Sequence, residues 1–519
     1  MTRILAAADT ALMLEAADLD ESMRLLPRLR EASLPGVTEL VPAARTILVR
    51  FDPRVVAADA LAERLLAVEP ADERIASDAV VTIPVRYDGQ DLDEVASLLS
   101  VSTDGVVARH QAATWTVAFT GYAPGFGYLV GDDDLFQVPR RSSPRTRIPA
   151  GSVGLAGAFS GVYPRESPGG WQLIGTTDAR MWDLEREEPA LLSPGATVRF
   201  ERIERELAVL APAERPAIEA AHALEVVRPG LQLLVQDLGR PSMAATGVSQ
   251  SGVADRTALR DANRAVGNRQ DAAVLELAGG GAVLRARGAA VVALAGGVAD
   301  ATVEGAAGTA TPAHGTPFAL DDGDELRIGA VREGLRAIVA IRGGIALEPV
   351  LDSLATDTLA GLGPAPLVVG SVLPLHGPAT APHAVEPVAA PARALPAAGD
   401  EAVLRIVLGP RDDWFTPAAL ETLVGQAWEV TPRSDRVGVR LAGAPLERAV
   451  DGELPSEGAV TGAIQVPPDG QPVLFLADHP LTGGYPIVGA VVDADLDLAG
   501  QVPPGARIRL RIVHPGDQA

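Results

Sequence analysis

Between Phe119 and Thr176, glycine and proline recur so often that no helix of ordinary length fits. The stretch opens Phe119-Thr-Gly-Tyr-Ala-Pro-Gly-Phe-Gly-Tyr-Leu129. It continues Pro139-Arg-Arg-Ser-Ser-Pro-Arg-Thr-Arg-Ile-Pro-Ala-Gly-Ser-Val153 and closes Ser167-Pro-Gly-Gly-Trp-Gln-Leu-Ile-Gly-Thr176. In a helix interior glycine costs about 1 kcal/mol and proline about 3 kcal/mol. Short strands over residues 115–119, 152–156 and 171–174, separated by tight turns, are what remains, and they predict a small sheet or barrel. Arg140, Arg141, Arg145 and Arg147 fall in one connection of that sheet. Planar fixed charge beside the backbone N–H groups of Gly151, Ser152, Gly169 and Gly170 is a way to hold an anion. The plainer alternative is that glycine and proline only shape the turns while the arginines are solvated.

The closing turn recurs. Pro168-Gly-Gly-Trp-Gln-Leu-Ile-Gly175 parallels Thr482-Gly-Gly-Tyr-Pro-Ile-Val-Gly489. Upstream, Gly151-Ser-Val153 parallels Gly462-Ala-Ile464. Downstream, Pro194-Gly-Ala-Thr-Val-Arg-Phe200 parallels Pro504-Gly-Ala-Arg-Ile-Arg-Leu510, and Asp322-Gly-Asp-Glu-Leu-Arg-Ile328 resembles the same closing strand. Similar turns in similar order predict related β-barrels. A chain of 519 residues exceeds one core, and three or four domains are expected. Ahead of the first barrel, residues 1–80 predict a small α/β unit. Its strands fall at 4–7, 11–14, 37–41 and 46–51, with amphipathic helices at 19–32 and 57–68. The first barrel then takes 81–205. Residues 206–222, rich in Glu, Ala and Pro, predict a linker. Two further barrels follow at 223–375 and 401–513, joined by an Ala/Pro-rich crossing at 376–400. The fold class expected is α+β, mainly β.

Composition closes off several chemistries. There is no cysteine, so disulfides, thiolate catalysis and Cys-bound metal are excluded. Lysine is also absent, which removes a Walker-A lysine, a Schiff base and a biotinyl carrier. The net charge of −23 makes nucleic acid and anionic membrane unsuited as partners. The seven histidines show no metal-binding spacing, and no metal site is expected. No basic-then-apolar signal opens the chain, and the apolar run at 288–299 is too short to cross a bilayer, so the expectation is a cytoplasmic protein.

The three linked motifs of the 119–176 stretch resemble the first component of the allophanate-hydrolase-like, or 5-oxoprolinase B, family. The second half resembles the 5-oxoprolinase C type. It carries Gln236-Asp-Leu-Gly-Arg240, Gly247-Val-Ser-Gln-Ser-Gly-Val-Ala-Asp255, Asp352-Ser-Leu-Ala-Thr-Asp357, Glu457-Gly-Ala-Val-Thr-Gly462 and Thr482-Gly-Gly-Tyr-Pro486. The pair resembles a natural B–C fusion, and the family implies cyclophilin-like barrels. It also implies ATP with Mg as cofactor, a separate 5-oxoprolinase A-type protein as partner, and a small amide, 5-oxoproline, as substrate. Two alternatives stand beside it: a carboxyltransferase module acting on urea or a related amide, and an inhibitor of a sensor histidine kinase. Two positions depart from the family pattern. Ala254 replaces a usual Met, and the loop from Asp352 lacks the usual arginine.

Candidate catalytic groups are His110, as a proton-transfer imidazole, Arg145 and Asp237. Candidate substrate contacts are Arg141, Gly151, Ser152, Gly169, Gly170, Gln236, Arg240, Ser251, Asp255 and Tyr485. For several a plainer role is open: a lone histidine such as His110 is more often a capping or packing residue, Asp237 as a lock on Arg240 is equally ordinary, and Ser251 or Asp255 can cap a helix. Asn263, Asn268 and Glu276 hint at a lined pocket. One cleft between the halves, lined by the anchor arginines with Gln236, Asp237, Arg240 and Tyr485, is the expected site.

Overall fold

The computed structural model describes residues 2–74, 77–133, 136–141, 143, 145–207, 220–386, 393–452 and 454–514. Most of the expected linker, the middle of the Ala/Pro-rich crossing, and Ser142 and Pro144 of the arginine connection lie outside the described residues.

The N-terminal unit is a four-stranded antiparallel sheet, Arg3–Ala8, Ala11–Glu15, Val37–Pro42 and Thr46–Phe51, with helices Leu19–Ala32 and Ala58–Leu66. Alternation along the strands gives it two apolar faces. Leu12, Leu14, Ile47 and Val49 pack under the helices with Leu25, Leu29, Leu61 and Leu65. Met13, Val41 and Leu48 pack against Ala463, Phe475 and Ile487 of the C-terminal barrel. Each fully buried side chain of this size contributes about 1.5–3 kcal/mol, so the contact is an integral core.

The first barrel is a seven-stranded sheet in which Val80–Val85 lies parallel to Thr197–Arg202, and a bridge between Arg86 and Thr176 joins its two edges. The last barrel is closed, with Glu401–Leu408 parallel to Arg507–Ile512 in the same role. Around both barrels the strand order is the same. Both place a helix, Thr103–Ala112 or Pro417–Gly425, before a buried tryptophan. The Trp115 indole N–H donates to His110 O at 2.9 Å, and the Trp428 indole N–H to Leu423 O at 3.0 Å. Each tryptophan bonds the carbonyl five residues before it, so the repeat in the sequence is a repeat in structure.

Between them lies a nine-stranded sheet dominated by two long strands, Ala290–Gly305 and Glu325–Ile341, paired antiparallel with three register shifts. Such bulges bend a strand and let it wrap its core. Helix Arg256–Val266 packs on this sheet through Leu259, Ala262 and Val266. Asp255 caps it by accepting the Ala258 N–H at 2.9 Å, and Gly267 ends it at φ +74°.

Candidate functional site

The anchor arginines turn inward. Arg145, on strand Arg145–Ile148 opposite Gly169, donates Nη2 to Asp91 Oδ1 at 2.6 Å. Arg141 donates Nη1 to the same oxygen at 2.9 Å. The other oxygen of Asp91 takes the Leu173 N–H at 2.7 Å, and the residue is almost fully buried. The last barrel repeats this joint with the charges exchanged. There Glu457 stands opposite Gly483, and the Arg411 guanidinium grips it. The backbone N–H groups of Asp91 and Arg411 donate to Leu173 O and Ile487 O, equivalent positions, both at 3.0 Å. A pair that works with either sign ties chain segments together, and it engages both Arg145, the expected catalytic group, and Arg141, the expected substrate contact.

Other expected site residues also make structural contacts. His110 is sealed in the first barrel, stacked on Phe200 with ring centroids 4.3 Å apart. Its Nδ1 meets the Tyr87 hydroxyl at 2.8 Å and its Nε2 the Ser160 hydroxyl at 2.9 Å. Burial lowers its pKa to about 3, so it stays neutral near pH 7. Leu423 fills the matching place in the last barrel. Asp237 accepts the Ser353 hydroxyl at 2.6 Å and the Leu354 N–H at 2.7 Å, while Arg240 donates to Val350 O at 2.9 Å and Ala355 O at 2.7 Å. Gln236 Nε2 donates to Thr356 O at 2.8 Å. All three clamp the loop at 350–357. Asp255, besides capping, accepts Gln501 Nε2 at 2.8 Å and the Arg393 guanidinium. Asn263 and Asn268 bond backbone carbonyls of Ala272 and Ile341. Ser152 donates its hydroxyl to Pro149 O at 2.8 Å, and the Gly151 N–H goes to Tyr163 O at 2.8 Å. Tyr485 offers its carbonyl to Gln465. Gly169 and Gly170 sit in the turn beside Tyr163. The expected lining does not converge on one cleft.

A different set does converge, on the seam between the halves. The loop at 120–125 of the first half enters between residues 243–250 of the middle sheet and 479–482 of the last barrel. Thr120 Oγ1 donates to Ala245 O at 2.8 Å, and the Tyr122 N–H donates to Thr482 Oγ1 at 3.0 Å. A Cβ on Gly121 would stand 2.7 Å from Thr482 Oγ1, and one on Gly247 2.8 Å from Ala123 O, so glycine permits the approach. Tyr122 itself holds φ +57°, a conformation rare outside glycine. Tyr122, Ser249, Leu359 and His479 border a cavity of ≈ 10 Å³, the space of about one water.

Behind that cavity lies a buried charge network. Asp478 accepts the hydroxyls of Ser251 and Thr358 at 2.6 Å each, and Arg436 Nε and Nη2 at 3.0 Å each. Burial pushes this carboxyl up, but Arg436 and the two hydroxyls outweigh it and hold the group below its ordinary value. Glu276 takes a further bond from Arg436 and accepts the Ala254 N–H at 2.8 Å. Asp357 accepts the Ser249 hydroxyl at 3.1 Å and the Leu359 and Ala360 N–H groups at 2.9 and 2.7 Å. Burial first, then the charge of Asp478, raises Asp357 to about 6. Burial lowers His479 to about 4. Of these residues only Ser251 was an expected contact. Tyr122, Ser249, Asp357, Asp478 and His479 sit inside the quoted motifs or beside them, but no spacing marks them as neighbours.

Residues 246–512 match the family model for the carboxyltransferase domain, subdomains A and B, and residues 2–192 match that for subdomains C and D. This chain belongs to the carboxyltransferase-domain family. Within that family it is 41% identical over 182 residues to the B subunit of 5-oxoprolinase from Escherichia coli O157:H7, covering 82% of that protein and 34% of this chain. It is 31% identical over 291 residues to the C subunit of 5-oxoprolinase from Escherichia coli, covering 89% of that protein and 55% of this chain. The solved structure of TTHA0988 matches with a TM-score of 0.83 and 36% identity, covering 98% of this chain and 100% of that one. The carboxyltransferase-domain seam is thus the place where a B-like and a C-like half meet.

Proposed function

We propose that this chain is the B–C fusion component of an ATP-dependent 5-oxoprolinase, opening 5-oxoproline to glutamate with a separate A-type partner. One observation carries the reading: B-like and C-like halves occupy one chain, and loops of both close on one cavity. A five-membered lactam resists water because amide resonance protects its carbonyl. No group of three His, Asp or Glu among the described residues is placed to hold a metal, and the seam cavity, with the space of about one water, must widen to admit the amide. In this reading ATP and Mg sit on the A-type partner, and this chain positions the amide and handles protons. His479 Nδ1 lies 2.9 Å from Pro480 O, which assigns its proton there and leaves Nε2 as an acceptor for an amide N–H. Asp357, titrating near 6 through the Ser249 hydroxyl, is poised to exchange a proton near neutral pH.

The test is reconstitution with the A-type partner. Glutamate release should need this chain, the partner, ATP and 5-oxoproline together. Glutamate release that proceeds without this chain or without ATP, or no release with all four present, contradicts the reading. A second reading rests on a 34% identity over 312 residues to urea amidolyase of Lachancea kluyveri, of which the chain covers 17%. Bicarbonate-dependent consumption of urea with a biotinylated carrier, and no glutamate release, would favour it.

A further inference from the structure

Of the four arginines in the 139–148 connection, Arg141 and Arg145 bind Asp91, and Arg147 meets Glu166 at 2.6 Å. Arg140 alone has no carboxylate among the described residues. It crosses the seam and makes one 3.3 Å hydrogen bond, to Ser456 Oγ of the last barrel. One weak acceptor leaves most of its five N–H donors without a partner among the described residues. Its guanidinium ends against the second glycine turn, where a Cβ on Gly484 would stand 2.4 Å from Nη1. At the first glycine turn stands Tyr163. There a Cβ on Gly169 would stand 2.4 Å from the Tyr163 hydroxyl. Tyr163 is 1% exposed, and its hydroxyl, which takes a bond from the Trp171 N–H, keeps its own proton to donate. That hydroxyl lies in the field of Arg140 and beside the Trp171 N–H. The Tyr163 ring is 6.2 Å from that of Tyr122, which borders the cavity.

We propose that Arg140 and Tyr163, framed by the two glycine turns, form a carboxylate-binding site that recognises the acid group of the substrate. A guanidinium edge and a phenol O–H both donate, so they match an acceptor-only anion. A side chain at Gly169 or Gly484 would occupy the approach, which explains glycine at both. The repeat gives the two turns their likeness: they are equivalent elements of related barrels. Its identification with the acid group of 5-oxoproline rests on the function proposed above.

Calorimetric binding to the intact chain tests it with three probes: 5-oxoproline, 2-pyrrolidinone, which lacks the carboxylate, and glutarate. The expected result is that Arg140→Met weakens 5-oxoproline about 10- to 100-fold, as loss of a charged hydrogen bond does, with 2-pyrrolidinone unchanged. Tyr163→Phe should weaken it about 5-fold. Should Arg140→Met fail to fold, Arg140→Lys, which keeps charge without the fork, takes its place and should show an intermediate loss. Unchanged 5-oxoproline binding in both Arg140 variants overturns the proposal. So does an equal loss for 2-pyrrolidinone, or a wild-type chain that binds no carboxylate. Arg140-dependent binding of glutarate without any of 5-oxoproline supports the carboxylate site and sinks the 5-oxoprolinase reading instead.

Discussion

Asp357 is the residue whose chemistry is set most plainly by its surroundings. Its carboxyl is buried beside Asp478, with Arg240 as the countercharge that acts on it. Raised to about 6 from an unfolded value of about 3.9, it favours the folded state below about pH 4. That contribution is lost as pH rises through 6. Asp357→Asn is neutral throughout, and its amide oxygen can keep the Leu359 and Ala360 N–H groups. The Ser249 hydroxyl can rotate to accept from the new NH₂. The variant should therefore be more stable than the parent by on the order of 2 kcal/mol at pH 8, with the difference gone by pH 4. Urea unfolding at both pH values checks this. His110 and His479, which lose stability as pH falls, are common to both proteins and cancel in the comparison. A pH-independent difference would refute the assigned environment. None of this was legible in the sequence. Ser249, Asp357 and Asp478 come from three separate loops, and only the fold brings their charges together. The burial of His110 was hidden for the same reason, since its position by a strand is visible and its surroundings are not.

The recurring element is the barrel joint, in which an ion pair ties the first crossing loop to the strand opposite the glycine turn. Asp91–Arg145 and Arg411–Glu457 serve it with opposite polarity. Removing one partner of a buried pair costs up to about 3–5 kcal/mol, and less when other partners remain. Arg145→Ala leaves Asp91 with Arg141 and the Leu173 N–H, so about 2 kcal/mol of lost stability is expected. kcat/KM of the folded variant should stay within about twofold. Thermal melting and turnover measured together decide it. An unchanged melt with a 100-fold fall in turnover would return Arg145 to the active site. The glycine turns and the repeat were legible because turn chemistry is local. So were the helices and strands of residues 1–80, whose apolar spacing is regular. The paired strands Ala290–Gly305 and Glu325–Ile341 were not, because bulges interrupt their alternation. Nor was Asp91, which is 54 residues from the arginine it holds.

At the scale of the molecule, the B-like half is embedded in the C-like half. One face of the N-terminal sheet is core to the last barrel, and the 120–125 loop is wedged into the seam. Fusion keeps two such surfaces at high effective concentration, while 5-oxoprolinase relatives carry them on separate chains. Cutting within 208–219 and co-expressing 1–207 with 220–519 asks directly whether the seam is the site. ATP-dependent release of glutamate from 5-oxoproline, with the A-type partner present, should appear only when both fragments are present. The combined rate should fall within about fivefold of the intact chain, because the seam itself holds the pieces together. Either fragment alone, working with the A-type partner at the full rate, would contradict a site shared between the halves.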